Sequence, residues 1–296
     1  CPIASHRCES AVRLMSLLVV GALHWDVVVR APRLPELDET LRGQEVAYQF
    51  GGKGGNQAIA AAKAGAPVNF AGRIGADAAG KSMLKQLETA GVDVSQLQRG
   101  LGSSGMSVAI ATEGGDYGAV IVSAENHAFD MSEFKIPSNC SMVLLQNEMA
   151  LGAFAAFANA ARAKGAQVLW NAAPAKEIPI ADFALVDTLI VNRLEAADLI
   201  GHEHNGLSPA ATLAKLAELA PDAEIILTMG GDGAAFSAPG KPCEVQKAYP
   251  VDVISTHGAG DVFVGTYAAS RLRGLSLSEA VSAGQKAASN HVSQSR

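Results

Sequence analysis

The 296-residue chain is poor in aromatic residues, at 5%, and has only four cysteines, Cys1, Cys8, Cys140 and Cys243. Their spacing matches no chelating pattern, which excludes a cysteine metal cluster and fits a reducing, cytoplasmic setting. Positive charge is also scarce. With 23 Lys and Arg against 29 Asp and Glu, the net charge is -6, and no basic run carries interleaved aromatics, so broad nucleic-acid binding is not expected. Nor is any apolar run long enough to span a bilayer. The run LMSLLVVGAL after Arg13 is short and reads as a buried first strand rather than a signal peptide. Residues 1–14 contain no Met, whereas Met15 directly precedes Ser16 and the apolar stretch Leu17 to Leu23, so 1–14 are expected to be a tag or other non-native leader.

What is present is a buried-core composition, 49% hydrophobic and 18% charged with 30 Gly. The length suits one large α/β domain, or such a domain with a smaller appendage. Leu17 to Leu23 reads as a buried strand ending at His24-Trp25-Asp26. Val27 to Val29, Glu45 to Phe50, Ser107 to Thr112 and Gly118 to Val122 read as strands without helices between partners, the last two forming a hairpin across Glu113 to Asp116. They predict a small β-sheet lid over about 27–50 and 105–123. Helices are predicted at Asn56 to Ala64 and Gly80 to Ala90, with a strand at Val68 to Ile74 between them. From Met142 to Thr228 strands and helices alternate: strands at 142–145, 167–170, 188–191 and 224–228, helices at 150–164, 195–200 and 209–219. Such alternation predicts a parallel sheet covered on both faces, with sites at the carboxyl ends of its strands.

Two glycine clusters carry the chemistry. Ser255-Thr256-His257-Gly258-Ala259-Gly260-Asp261 places a turn and an acid ahead of a small-residue helical run, Val262 to Ala269. Converging backbone N–H groups and a helix start make an anion cradle there, with Asp261 as the nearby base or else a helix cap. Gly51-Gly52-Lys53-Gly54-Gly55-Asn56-Gln57 is neither a P-loop nor a dinucleotide fingerprint. It permits close backbone approach to a ligand, with Lys53 and Asn56 as donors to hydroxyls, or serves simply as a strand-to-helix turn.

The two clusters, with Gly75 to Gly80, Asn171 to Ala175, Asn192-Arg193-Leu194-Glu195 and Thr228 to Gly233 between them, resemble the PfkB carbohydrate kinase family from about Met15 onward. The resemblance implies a ribokinase-like, Rossmann-type α/β fold with a small β-sheet lid, a single kinase domain over 15–296, and ATP-dependent phosphorylation of a sugar hydroxymethyl group. Asp261 matches the family's catalytic base, and Gly258, Ala259 and Gly260 its anion hole. Sugar-binding positions fall on His24, Asp26, Gly52, Lys53, Asn56, Glu148 and Asp261; singly, Asp26 and Glu148 also read as solvated strand-end acids. Nucleotide-binding positions fall on Asn192, Thr228, Gly230, Gly231, Gly233 and Gly260, the glycines also being compatible with an ordinary β-turn. Asn192 and Glu195 are implied in Mg²⁺ placement through water, and they equally fit a helix capping box. A homodimer through the lid is a further expectation by resemblance.

The chain departs from the pattern at three points. Ser255 replaces the Asp expected at the head of the second cluster, which removes a full charge from a monovalent-cation site and predicts loss of K⁺ dependence. The sequence stops at Arg296, where the family continues with a segment flanking the adenine pocket, so weakened nucleotide affinity is expected. His24, beside Trp25, stands where an amide contacts the sugar, which leaves a nucleoside kinase or a non-catalytic sugar-binding regulator as alternatives.

Overall fold

The structure, a computed structural model, describes residues 15–112, 117–150, 152–175, 178–202 and 206–294. The leader, Cys1 and Cys8, the turn at Glu113 to Asp116, and Arg296 lie outside the described residues. In chain order the elements are β1 (Ser16–Val20), β2 (His24–Ala31), β3 (Glu45–Gly51), α1 (Lys53–Lys63), β4 (Val68–Gly75), α2 (Ala78–Thr89), β5 (Asp93–Gly100), β6 (Met106–Thr112), β7 (Tyr117–Val122) and β8 (Cys140–Leu145). They continue with α3 (Ala153–Ala163), β9 (Gln167–Asn171), β10 (Thr188–Asn192), α4 (Arg193–Ile200), α5 (Pro209–Leu219), β11 (Glu224–Thr228), β12 (Ala234–Ser237), β13 (Glu244–Gln246), α6 (Ala259–Leu272) and α7 (Leu277–Val292).

Nine strands form one sheet in the order β13-β12-β11-β10-β9-β8-β1-β4-β5. β1 lies inside it, hydrogen-bonded in parallel to β4 and β8, which is why its residues are apolar without alternation. Leu18 and Val20 point into the core that holds Phe157, Trp170 and Leu213, and Leu17 and Val19 into the core that holds Phe70, Phe263 and Tyr267. All four are fully buried. Full burial of each such side chain contributes about 1.5–3 kcal/mol, so β1 anchors both layers.

The parallel expectation holds from β5 to β11 and fails at one edge. β12 and β13 run antiparallel, because the short turn after β11 folds the chain straight back and leaves no length for a crossover helix. The smaller sheet has the order β3-β2-β6-β7. β2 pairs with β6 in parallel, and the other two pairings are antiparallel. Its strands come from two separate stretches of the chain, β2 and β3 before α1, and β6 and β7 after β5. Among the described residues no helix is long and apolar enough to cross a membrane, and Cys140 and Cys243 are unpaired thiols.

Helix α1 begins at Lys53, three residues before the expected Asn56. The glycines are inside the helix for a packing reason: a Cβ on Gly54 would come within 2.7 Å of the Gly21 backbone, so only glycine lets α1 close on the end of β1. That contact brings the first turn of α1 to the junction of the two sheets.

Candidate active site

The carboxyl ends of β8, β9, β10 and β11 deliver Glu148, Asn171, Asn192 and Thr228 to one side of the large sheet, where α1 and α6 also begin. Gly258, in the left-handed conformation at φ 74°, is the N-cap of α6, so Ala259, Gly260 and Asp261 form its first turn. Asp261 is therefore a first-turn residue and not the cap. The opening N–H groups of such a helix have no intrahelical carbonyl to bond, and they aim the positive end of its dipole outward.

A cavity of about 220 Å³ lies in front of that turn, and Lys53, Asn192, Glu195, Thr228, Gly260 and Asp261 are among its lining residues. A neighbouring space of about 130 Å³ is lined by Thr228, Gly230, Gly233, Ala259, Gly260 and Phe263, with Gln285 and Ser289 from α7. Gly231 lies outside both linings. Residues 230–232 form one 3-10 turn that closes the β11–β12 hairpin, and the Gly233 amide donates to the Gly230 carbonyl at 3.0 Å, the bond of the β-turn considered from sequence.

On the sugar-side positions, the Lys53 amide donates to Glu148 Oε2 at 2.7 Å, and Asn56 Nδ2 donates to Asp261 Oδ2 at 3.3 Å. Asp26, on β2 of the small sheet, accepts from the Ser107 hydroxyl at 2.6 Å. Gly52 precedes α1 at φ 87°. His24 is buried at 4% exposure, and its Nε2 has no hydrogen-bond partner. Burial holds its imidazole below the ordinary value despite nearby Asp26, so it stays neutral and able to exchange a hydrogen bond with a hydroxyl.

The electrostatics are those of a site with too few donors for its acids. Burial pushes Glu148 up to about 7, against the pull of Lys53. Burial likewise raises Asp261, although Lys53 and the amides of Gln57 and Asn56 oppose it, and it raises Glu195. Lys53 is partly desolvated, yet Asp261, Glu148 and Glu195 together hold it firmly charged.

Asn192 and Glu195 do form a capping box: Asn192 Oδ1 accepts from the Glu195 amide at 2.9 Å, and Glu195 Oε2 from the Asn192 amide at 2.8 Å. One oxygen of each is thus committed to backbone. Among the described residues no group of three His, Cys, Asp or Glu could hold a metal ion. What remains to accept from metal-bound waters, the second Glu195 carboxylate oxygen and the second lone pair of Asn192 Oδ1, fits a hydrated Mg²⁺ held through its waters and not a protein cage.

Three residues with no role in the sequence reading join the site: Gln57, Asn171 and Gln146. Gln57 donates to Asp261 and Asn171 and accepts from Gln146. The available signal was an amide inside an otherwise Ala-rich helix and another at the end of an apolar strand.

The model of the pfkB family carbohydrate kinases matches residues 15–296. A ribokinase of Haemophilus influenzae is 32% identical over 286 residues, covering 94% of this chain and 92% of that protein. A Bacillus subtilis ribokinase is 27% identical, covering 94% and 93%. Among solved structures, Arabidopsis thaliana ribokinase complexed with ribose and ATP superposes with a TM-score of 0.89 at 28% identity, covering 95% of this chain and 94% of that one. Ribokinase from Cryptococcus neoformans in complex with ADP gives 0.83 at 27%, with the same coverage.

Proposed function

The chain belongs to the pfkB family of carbohydrate kinases and is an ATP-dependent sugar kinase, and we propose that it phosphorylates the hydroxymethyl group of a ribose-like pentose with Asp261 as the base. The observation that carries this reading is convergence. Lys53, Asn56 and Asp261 meet where α1 and α6 begin, with Glu148 bonded to the first turn of α1. The same cavity reaches Asn192, Glu195 and the start of α6.

In this reading Asp26, Gly52, Lys53, Asn56 and Glu148 hold the sugar hydroxyls, and His24 Nε2 gains its missing partner from the sugar. Asp261 takes the proton of the primary hydroxyl as that oxygen attacks the γ-phosphorus. The Gly258, Ala259 and Gly260 backbone and the α6 dipole stabilise the negative charge, a contribution of roughly 3 kcal/mol for each well-placed donor. Thr228, Gly230 and Gly233 border the nucleotide, with Gly231 just outside. Asn192 and Glu195 would hold Mg²⁺ through water, and the ion would supply charge neutralisation for the transferring phosphoryl group. Residues 15–296 act as one unit, the small sheet closing over the sugar and excluding water. Its outward Tyr48 and Val120, which share one face through their pairings with Val27 and Val108, are more than half exposed, which supports pairing of two copies through this face. With Ser255 in place of an acid, turnover needs no K⁺.

ADP release measured across pentoses, hexoses and nucleosides, with and without K⁺, tests the reading. Pentose-dependent turnover changing by less than about twofold with K⁺ is expected. Preference for a nucleoside, or no turnover with any acceptor, would sink it.

A further inference from the structure

Gln57 is completely buried on α1, and its neighbours fix which way its amide faces. An ionised carboxylate only accepts hydrogen bonds, so Gln57 must turn its nitrogen to Asp261. Nε2 lies 2.9 Å from Asp261 Oδ1 and 2.9 Å from Asn171 Oδ1. Asn171 is itself oriented, because its Nδ2 donates to the Ile190 carbonyl at 3.1 Å. The Gln57 Oε1 is thereby left facing Gln146, which must present its own nitrogen and does so at 2.7 Å. The polarity runs one way, from Gln146 through Gln57 to Asp261. It ends at a loss, since Gln146 Oε1 is buried without a partner. A group serving only to fill the core would not need that penalty, because apolar side chains of the same volume pack without it.

The two oxygens of Asp261 are held unequally. Oδ1 has the 2.9 Å bond from Gln57, whereas Oδ2 has only the long 3.3 Å contact from Asn56. We propose that the buried Gln146–Gln57 relay is a positioning device that pins Asp261 through Oδ1 and so leaves Oδ2 as the atom that accepts the substrate's proton. The proposal rests on Asp261 being the base. In the step, the sugar O–H bond breaks and its proton passes to Oδ2 while the oxygen bonds to the γ-phosphorus. The bond from that phosphorus to the β,γ-bridging oxygen breaks, and its electron pair leaves with ADP. The charged groups around Asp261 are Lys53 on α1, Glu148 beyond β8, Glu195 on α4 and His257 ahead of α6. Among its donors Gln57 makes the shortest bond, and losing it disfavours the ionised form.

The test uses the full chain with ATP and whichever of D-ribose, D-fructose or adenosine it turns over fastest, comparing wild type, Gln57→Leu, Gln146→Leu and Asp261→Asn. For Gln57→Leu, kcat should fall about ten- to a hundredfold, the range for a hydrogen bond to a charged group. Sugar affinity by calorimetry should change little, and the acidic limb of the kcat/KM profile should move to higher pH. Gln146→Leu should shift the limb in the same direction by less, which keeps the test open if Gln57→Leu does not fold. An unmoved limb overturns the relay, whether kcat is normal or lowered, since a packing defect lowers activity without moving a titration. If Asp261→Asn keeps wild-type kcat, the base assignment fails instead, and the two failures are told apart by that variant.

Discussion

Asp77 and Glu125, at the joints between the two sheets, accept only short hydrogen bonds, none above 2.8 Å, whereas in the cleft Glu148 accepts one and Asp261 accepts two longer ones, at 2.9 and 3.3 Å. Asp77 caps α2 through the Gly80 amide at 2.8 Å and accepts from both the amide and the hydroxyl of Ser104, at 2.8 and 2.6 Å. Burial opposes its ionisation, but these bonds outweigh it and hold the carboxyl low. Glu125 is bonded by Arg73 Nε at 2.6 Å and the Gly102 amide at 2.7 Å, and is also held low, chiefly by Arg73. In the cleft the balance reverses. Burial wins at Glu148 and Asp261, and both are raised. The joint acids have spent their lone pairs on the fold and keep a constant charge. The cleft acids have unmet capacity, which a sugar rich in hydroxyl donors is suited to fill.

The largest expected effect comes from Asp261→Asn, which keeps the shape of a cleft acid and removes its capacity to take a proton. Turnover should drop about a thousandfold, within the range for loss of a general base. Sugar binding measured by calorimetry should stay within severalfold of wild type. Near-normal kcat would dissolve the distinction between the two sets of acids at its most important member.

Glu148→Gln gives a smaller effect with a pH signature. The group's ordinary value of 4.5 rises to about 7 in the folded chain, so between those values the folded state binds the proton and the unfolded state does not. Its contribution to stability is therefore greatest below pH 4.5 and declines as pH rises through about 7. The variant has no charge to desolvate and should melt above wild type at pH 8, the gap narrowing towards pH 5. Sugar KM should rise about tenfold through a lost charged acceptor. A gap that widens towards pH 5 would put Glu148 with the joint acids.

The sequence reading located the cleft acids better than the relay behind them, for a physical reason. Asp261 and Lys53 sit in glycine-rich turns whose local chemistry announces an anion or a close approach. The Gln57–Gln146 bond joins residues 89 positions apart, and no local pattern encodes it. Fold elements divided in the same way. β1 was readable as an unbroken apolar run, and the Asn192–Glu195 box by its spacing. β5 was missed because DVSQLQRG is a polar, half-exposed edge strand, and β12 and β13 because four and three residues are too short to show a period. α7 escaped because its inward positions include Ala280 and Gly284. A Cβ at Gly284 would come within 2.9 Å of the Phe263 ring. Small residues chosen for close packing carry little hydrophobic signal.

The smallest effect on turnover, and the sharpest test of the contrast, is at the joints. Asp77→Ala removes the α2 cap and leaves Ser104 without its acceptor, a loss of about 2 kcal/mol by the usual values for caps and buried hydrogen bonds. The folded Asp77 is held below its ordinary value of 3.8, so its stabilisation is present above that pH and lost as pH falls through the folded value. This is opposite in sign to Glu148. The variant should therefore melt several degrees below wild type at pH 7 and approach it in acid, while kcat at a temperature where both are folded changes less than about twofold. A large loss of kcat with normal melting would mean that the joint acids also take part in the chemistry, because a residue whose bonds all go to the backbone and Ser104 has no route to the phosphoryl group except through the fold.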